Sequence, residues 1–220
     1  MMRRRHFLIL CLLVVLTVAG LVAGIRRRAF RQEIDRDVAE LLGDRSGEAS
    51  RIVREADLEG LPQPVQEWLR ASGVVGTAIP SIVRITQQGE FRLGSDKSWM
   101  PLRATEYYTT DPPGFLWDAS MRMFPLIDVT GRDRYADGIG DIEMRIASLI
   151  PVASKSGGNL NSGALLRYLN ETMWFPAALV LPNITWESID ATHARATLTD
   201  AGQSVSAIFV FDDQHRLVNM

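Results

Sequence analysis

The strongest constraint on the fold is an alternation of apolar and polar residues that begins after about residue 81. In the stretch FLWDASMRM, Phe115, Trp117, Ala119, Met121 and Met123 fall on one face, with polar residues between them. Successive side chains point to opposite faces of a strand, so this pattern is typical of a half-buried β-strand. Further strand-like stretches follow across short turns: DIEMRI, NITWESI, ARATLTD and SVSAIFVFDD. They predict a mainly antiparallel β-meander, forming an open or half barrel.

Helical patterns accompany the strands and make the predicted fold class α+β. The stretch RQEIDRDVAELLG has a helical apolar stripe, and SGEASRIVREADLEG suggests a further helix capped by Ser46. LPQPVQEWLRASG has the proline and glycine positions of a short helix. SGALLRYLNETMWFP predicts one packing helix at about 162–174. Its apolar face is formed by Leu165, Leu166, Leu169 and Met173.

The amino terminus carries an apolar run, residues 7–25, that contains no charged residue. At about 1.5 Å per residue such a helix just spans the roughly 30 Å hydrocarbon layer, which predicts a transmembrane helix. A cleaved signal peptide is the alternative, but Arg26, Arg27 and Arg28 follow at once and favour a retained anchor. The single cysteine, Cys11, lies inside the run. The rest of the chain therefore has no disulfide framework, thiolate metal site or cysteine nucleophile.

Charge is unevenly distributed along the chain. Six of the 24 basic residues flank the apolar run, and all 26 acidic residues follow it. The remaining 18 basic residues therefore leave a net charge of −8 outside this region. An acidic surface repels phosphate backbones, so we expect no nucleic-acid partner.

These patterns divide the chain into three regions. We expect a membrane anchor at 1–28, a helical stalk at 29–60, and a β-rich domain at 61–220. The final stretch FVFDDQHRLVNM reads as a strand, a turn and the start of another strand. We therefore expect the β-rich domain to be truncated at its carboxyl end.

Signatures of catalysis, nucleotide binding and metal binding are missing from the sequence. None of the three histidines has a second ligand at metal spacing, and no nucleophile elbow or phosphate-binding glycine loop occurs. In TGRDRYADGIGD, Asp133, Asp137 and Asp141 come at intervals of four. Calcium loops place oxygen ligands at every second position, so a hairpin turn is the favoured reading. We expect no metal and no cofactor.

The candidate ligand site combines an apolar and a polar part. Trp117 and Met121 belong to strands rich in methionine and tryptophan, residues that line adaptable apolar cavities and also fill ordinary cores. On the helix, Arg167, Glu171 and Trp174 share a row opposite the packing face. As a ligand site, Arg167 binds an anionic head group, Glu171 orients that arginine and Trp174 bounds the apolar part. Asp133 is the sixth candidate ligand-binding residue. A solvated helix face is the alternative for the two charges.

Several stretches together resemble a bacterial family known only as a domain of unknown function. They are LPQPVQEWLRASG, GEFRL with Trp99 and Pro101, FLWDA, GRDRYADGIG, LLRYLNETMWFP and ITWESID, within residues 61–212. The resemblance implies a mostly antiparallel β-domain, often behind a membrane segment. In outline such a domain is similar to the open barrels that carry lipoproteins or lipids across the periplasm. We therefore expect a single-pass cell-membrane protein with an extracytoplasmic domain, although the flanking arginines do not determine orientation.

These observations favour a membrane-anchored, non-catalytic domain that binds a lipid or another apolar ligand. One alternative is a hydrolase or lyase in which Glu171 or Asp133 acts with Arg167 as a carboxylate acid/base. That mechanism requires the groups to converge in one cleft. A structural or partner-binding module is the other alternative, and an exposed apolar patch would favour it.

Overall fold

The computed structural model describes residues 2–44, 51–125 and 127–220, apart from several side chains within the first 19 residues. In this part of the chain the helices are α1 (Met2–Leu42), α2 (Gln63–Ala71) and α3 (Asn159–Glu171). The strands are β1 (Ile82–Phe91), β2 (Met100–Thr110), β3 (Pro113–Phe124), β4 (Ile127–Ala136), β5 (Ile139–Ile146), β6 (Ile150–Ser156), β7 (Ile184–Ser188), β8 (His193–Asp200), β9 (Gln203–Phe211) and β10 (Leu217–Asn219). Short 3-10 turns cover Glu55–Leu58, Thr172–Trp174 and Pro176–Val180.

The strands form two antiparallel sheets. Strands β1 to β6 lie side by side in chain order, and a second sheet has the order β10-β9-β8-β7. The predicted α+β class with antiparallel strands is therefore confirmed. The sequence patterns did not separate the two sheets. The division falls where α3 and two 3-10 turns interrupt the meander between β6 and β7.

The six-stranded sheet has two faces, which we name after the helix that packs on each. On the α3 face, Glu106, Trp117 and Asp133 stand side by side on β2, β3 and β4. One row along, Tyr108, Phe115 and Tyr135 are side by side on the same strands. Residues between these positions, such as Leu116 and Asp118, point to the α1 face because side chains alternate along a strand.

The main core lies between α3 and the two sheets. Helix α3 contacts β5 of the first sheet and β9 of the second. Leu165 and Leu169 are fully buried, as the helical spacing predicts. Met173, predicted to lie on the same packing face, is 40% exposed. The α-helix ends at Glu171 and continues as a 3-10 turn, which changes the direction of the following side chains.

Helix α3 approaches β5 most closely at Gly140. A Cβ atom at this position would lie 2.6 Å from the carbonyl oxygen of Leu160 and 3.0 Å from Cβ of Ala164. The Gly140 N–H donates a hydrogen bond of 2.9 Å to the side-chain oxygen of Asn161. The absence of a side chain at Gly140 therefore sets the depth at which α3 sits on the sheet.

The carboxyl-terminal part of α1 packs on the α1 face. Phe30 and Ile34 are buried against Leu116 of β3. Arg31 donates to both carboxylate oxygens of Asp118, at 2.7 Å and 2.8 Å. Both apolar and ionic contacts therefore join α1 to the sheet.

Residues 29–60, for which the sequence suggests a stalk, contact the β-rich domain along their described part. Besides α1, Val53 and Leu58 are buried in the main core, and Ile52 forms an isolated β-bridge with Ala78. Ser46, the predicted helix cap, lies outside the described residues.

The apolar run 7–25 lies within α1. Leu10, Leu21 and Ile25 are each at least 60% exposed. Several other side chains of the run, including that of Cys11, lie outside the described part. Among the residues that are described, no helix combines the length and the apolar composition that crossing a membrane requires.

Candidate functional site

Four of the six predicted site residues meet at one place between α3 and the six-stranded sheet. Arg167 and Glu171 project from α3, and Asp133 and Trp117 project from β4 and β3. The structure does not place Arg167 and Glu171 on a solvated helix face. Because a sheet lies on either side of α3, the direction opposite its leucines meets the six-stranded sheet, and Arg167 keeps only 28% of its side-chain surface exposed.

Arg167 is the centre of this group. Its Nε donates to Oε1 of Glu171 at 2.9 Å, Nη1 donates to Asp133, and Nη2 donates to Oε1 of Glu106 at 2.6 Å. The guanidinium carbon also lies 4.7 Å from the ring centre of Phe115 and 5.4 Å from that of Trp117. We call Arg167 with its three carboxylates, Glu106, Asp133 and Glu171, the Arg167 cluster.

Glu106 is the member of the cluster that sequence reasoning missed. It is fully buried on β2, where its Oε2 accepts a 2.8 Å hydrogen bond from Gln87. Gln87 in turn accepts one of 2.8 Å from the indole of Trp117. The sequence does contain a sign of this buried charge: Glu106 lies between Ala104 and Tyr108 on the apolar face of the strand. A charge there must find a partner inside the domain.

The cluster shifts the pKa values of Glu106, Asp133 and Arg167. Burial raises the pKa of Glu106 from the ordinary 4.5 to about 7, with Arg167 opposing the rise and Glu171 adding to it. Burial also raises the pKa of Asp133, again against Arg167. Burial would lower the pKa of Arg167, but the three carboxylates outweigh it and raise that pKa. The arginine stays charged while Glu106 binds a proton near neutral pH.

Tyr108 connects the Arg167 cluster to Trp174. Its hydroxyl donates a 3.1 Å hydrogen bond to Oε2 of Glu171, and its ring meets the Trp174 ring edge-on at 6.3 Å. Trp174 is 44% exposed. With Trp68 and Met173 it lines a surface groove of about 370 Å³ beside the β9–β10 turn. Trp174 thus faces neighbouring rings and a groove outside the Arg167 cluster.

Met121, the sixth predicted residue, belongs to a separate apolar group on the α3 face. We call this group the methionine cluster. Its buried members are Met100, Ala104, Ala119, Met121 and Val129, and its half-buried members are Phe91, Leu102, Trp117, Met123, Met144 and Ile146. Every member comes from strands β1 to β5. Trp117 belongs to this group and also lies beneath Arg167, so the two clusters adjoin.

The aspartates of TGRDRYADGIGD do not converge. Asp137 and Gly138, both at positive φ, form the turn between β4 and β5. Asp133 points to the α3 face, whereas Asp141 binds Arg132 and Arg134 at 2.8 Å. The hairpin reading is therefore correct. Among the described residues, no group of three or more His, Cys, Asp or Glu has the geometry of a metal site.

The contacts of Arg167 argue against one predicted role. Arg167 was expected to bind an anionic head group, but each of its three nitrogens already donates to a carboxylate. An anionic ligand would have to displace one of these partners and would meet the remaining two negative charges. The Arg167 cluster is instead complementary to a neutral or cationic group.

Comparison with known proteins gives a family without an assigned function. Residues 51–220 match the model of a family described as "Family of unknown function (DUF6544)". No curated protein and no solved structure matches the chain. The match covers α2, α3 and every strand of both sheets.

Proposed function

The chain belongs to the DUF6544 family of unknown function, and we propose that it is a membrane-anchored, non-catalytic protein that binds a lipid or another apolar ligand. The ligand's apolar part lies on the methionine cluster, and its polar end meets the Arg167 cluster. The observation that carries this proposal is an apolar cluster built by one sheet alone, directly beside a partly exposed group of charges.

The composition of the methionine cluster supports ligand binding. A sheet normally buries its apolar face against a second layer, yet every member of this cluster comes from a single sheet. Small residues, Ala104, Ala119 and Gly131, occupy neighbouring positions on three strands. Flexible side chains fill the space above them. Atoms of Met121 and Met144 lie 3.6–3.7 Å from where a Cβ of Gly131 would stand. Methionines rearrange easily, so they can move aside for an acyl chain.

The charges of the Arg167 cluster favour a zwitterionic head group. With every group ionised the cluster has one positive and three negative charges. Protonation of Glu106, whose pKa is about 7, still leaves an excess negative charge. Asp133 and Glu171 keep 17% and 16% of their side-chain surface exposed. A ligand ammonium group can bind these carboxylates, whereas a phosphate without one is repelled.

The anchor supplies the membrane part of the proposal. Residues 7–25 contain no charge, and arginines lie on both sides. The described large apolar side chains of this stretch, among them Leu10, Leu21 and Ile25, are exposed. A bilayer would bury this surface. We propose that the β-rich domain stands on the extracytoplasmic side.

Native mass spectrometry of the full chain tests the proposal. The chain is incubated with vesicles of phosphatidylethanolamine and phosphatidylglycerol, extracted in detergent and released in the spectrometer. We expect one bound phosphatidylethanolamine in preference to phosphatidylglycerol. Gly131→Leu should lower the bound fraction on the order of tenfold, because the leucine fills the space of the acyl chain. Gly131→Ala is the matched control and should bind as the natural chain does, since an added Cβ meets no atom closer than 3.6 Å.

Two results would overturn this function. The chain could retain no lipid under conditions in which it remains folded, or Gly131→Leu could bind as much lipid as Gly131→Ala. A preference for phosphatidylglycerol would contradict only the proposal that the Arg167 cluster binds the ligand's polar end. The proposal of an apolar site on the methionine cluster would stand.

The second candidate is an enzyme with carboxylate acid/base chemistry. The observation that favours it is the convergence of Asp133 and Glu171 on Arg167, with Glu106 titrating near neutral pH. Against it, Glu106 is fully buried and already has two hydrogen-bonded partners. The same spectra separate the two functions. A binding protein releases the added lipid unchanged, whereas an enzyme releases a product that Glu106→Gln no longer forms.

A further inference from the structure

Three hairpins at one end of the six-stranded sheet carry exposed apolar side chains. Leu93 and Trp99 lie in the β1–β2 connection, Phe124 and Ile127 flank the β3–β4 turn, and Ile150 follows the β5–β6 turn. Four of them are more than half exposed, and Ile127 is 39% exposed. We call these five residues the hairpin tips. Apolar side chains gathered at one end of a sheet mark an interaction surface.

Helix α1 runs toward the same end of the sheet. Leu41 lies against Gly114, near the β2–β3 turn at the opposite end. Eleven residues earlier, Phe30 stacks beneath Arg145, with 4.1 Å between the guanidinium carbon and the ring centre. Between them, Arg31 binds Asp118 in the middle of β3. Read toward its amino terminus, α1 therefore follows β3 from Gly114 toward the hairpin tips.

The lengths of the two elements place the apolar run beside the tips. From Asp118 to Phe124 a strand advances at most about 20 Å, at roughly 3.3 Å per residue. About 13 helical residues cover the same distance at 1.5 Å each. A straight α1 continued from Arg31 thus reaches the level of Phe124 near about residue 18, inside the apolar run 7–25.

We propose that the hairpin tips insert into the interface of the same bilayer that holds residues 7–25. This inference rests on the proposed membrane anchor. Trp99 is suited to the interface, because the residue is 54% exposed and the guanidinium carbon of Arg92 lies 4.6 Å from the centre of its ring. An aromatic ring beside a basic group is typical of the boundary between head groups and acyl chains. Insertion of the tips by about 5–10 Å buries their apolar side chains.

The docked position gives a bound lipid a direct route. Phe91, Met100 and Met123 of the methionine cluster lie at the strand ends next to the hairpin tips. Apolar packing is therefore continuous from these strand ends, through the methionine cluster, to Trp117 beneath Arg167. An acyl chain entering between the tips moves from the bilayer into the domain without crossing water.

Site-directed spin labelling of the full chain in vesicles tests the docking. In a Cys11→Ser background, single cysteines replace Trp99, Phe124 or Ile150 and carry the label, in vesicles of phosphatidylethanolamine and phosphatidylglycerol. Ile139 is the matched control, because it is 48% exposed at the opposite end of the same sheet. Collision rates with oxygen and with a water-soluble nickel chelate report the surroundings of each label. We expect nickel collisions on the order of tenfold rarer at the tips than at Ile139→Cys, with oxygen collisions more frequent.

Any other result would overturn the docking, and the kind of result shows which part of the proposal is wrong. High nickel accessibility at the tips, in a chain that floats with the vesicles, means that the tips stand in water while the anchor holds. Low accessibility to both reagents means that protein, such as a second copy of the chain, covers the tips. If the chain does not float with the vesicles, it is not anchored in the bilayer, and both the proposed anchor and the docking are wrong. The lipid-binding spectra remain an independent test of the proposed function.

Discussion

The buried carboxyl group of Glu106 makes the stability of the domain depend on pH in an unusual direction. Glu106 is fully buried, receives hydrogen bonds from Arg167 and Gln87, and has a pKa of about 7 against an ordinary 4.5. The folded protein binds this proton more tightly than the unfolded chain does. The stabilisation is complete below about pH 4.5 and is lost as the pH rises through about 7.

The size of the effect follows from the two pKa values. The difference between about 7 and 4.5 corresponds to about 3 kcal/mol of unfolding free energy. Of this, about 2.5 kcal/mol is lost between about pH 5 and about pH 8. Asp133, whose pKa is also raised, contributes in the same direction. Asp190 has the opposite sign, because backbone hydrogen bonding lowers its pKa to about 2, and it acts only below about pH 4.

Glu106→Gln isolates this contribution, because glutamine has the same size and does not titrate. We expect urea unfolding of the natural chain, followed by tryptophan fluorescence in detergent, to show stability falling from about pH 5 to about pH 8. In Glu106→Gln most of this slope should disappear, and only the part due to Asp133 should remain. Asp190→Asn is the control and should keep the full slope. A natural chain that is equally stable at both pH values, or a variant that keeps the full slope, would refute the reasoning.

Two further predictions concern the contacts of the helices. Gly140→Ala should lower the free energy of unfolding by about 2 kcal/mol, because its Cβ would meet the Leu160 carbonyl oxygen at 2.6 Å. Urea titration measures this loss. A variant as stable as Gly131→Ala would contradict the prediction. Asp118→Asn weakens the bidentate pair with Arg31, so trypsin should cleave after Arg31 on the order of tenfold faster; an unchanged rate would show that apolar packing alone holds α1.

The strands and their antiparallel order were predictable from the sequence because their cause is local. The alternation in FLWDASMRM defines the two faces of β3, and the short turns around it determine its neighbours. Leu165 and Leu169 likewise follow from helical spacing. These features need only the geometry of one element and the burial of its apolar side.

The Arg167 cluster was not predictable as a unit because its members come together through topology. Arg167 and Glu171 are four residues apart, but Asp133 and Glu106 lie 34 and 61 residues from Arg167. Helical spacing assigns Arg167 to the side away from the leucines, and that side faces solvent only for a helix at a surface. Since α3 lies between two sheets, its second side is also an interior surface. Glu106 could be inferred only from the rule that a charged side chain on the apolar face of a strand is buried together with a partner of opposite charge.

The continuity of α1 joins residues 7–25 rigidly to the β-rich domain. A single helix runs from Met2 to Leu42, and its second half is clamped to the sheet through Phe30 and the pair of Arg31 with Asp118. With residues 7–25 in a bilayer, as proposed, the domain has almost no freedom to swivel or change height. One residue inserted near position 28 would turn the sheet by about 100° around the helix axis and raise it by about 1.5 Å. An insertion of seven residues, about two turns, would nearly restore the facing while lifting the domain by about 10 Å. Under the proposed anchoring, the number of residues in α1 therefore sets both the rotation of the domain about the helix axis and its height above the membrane.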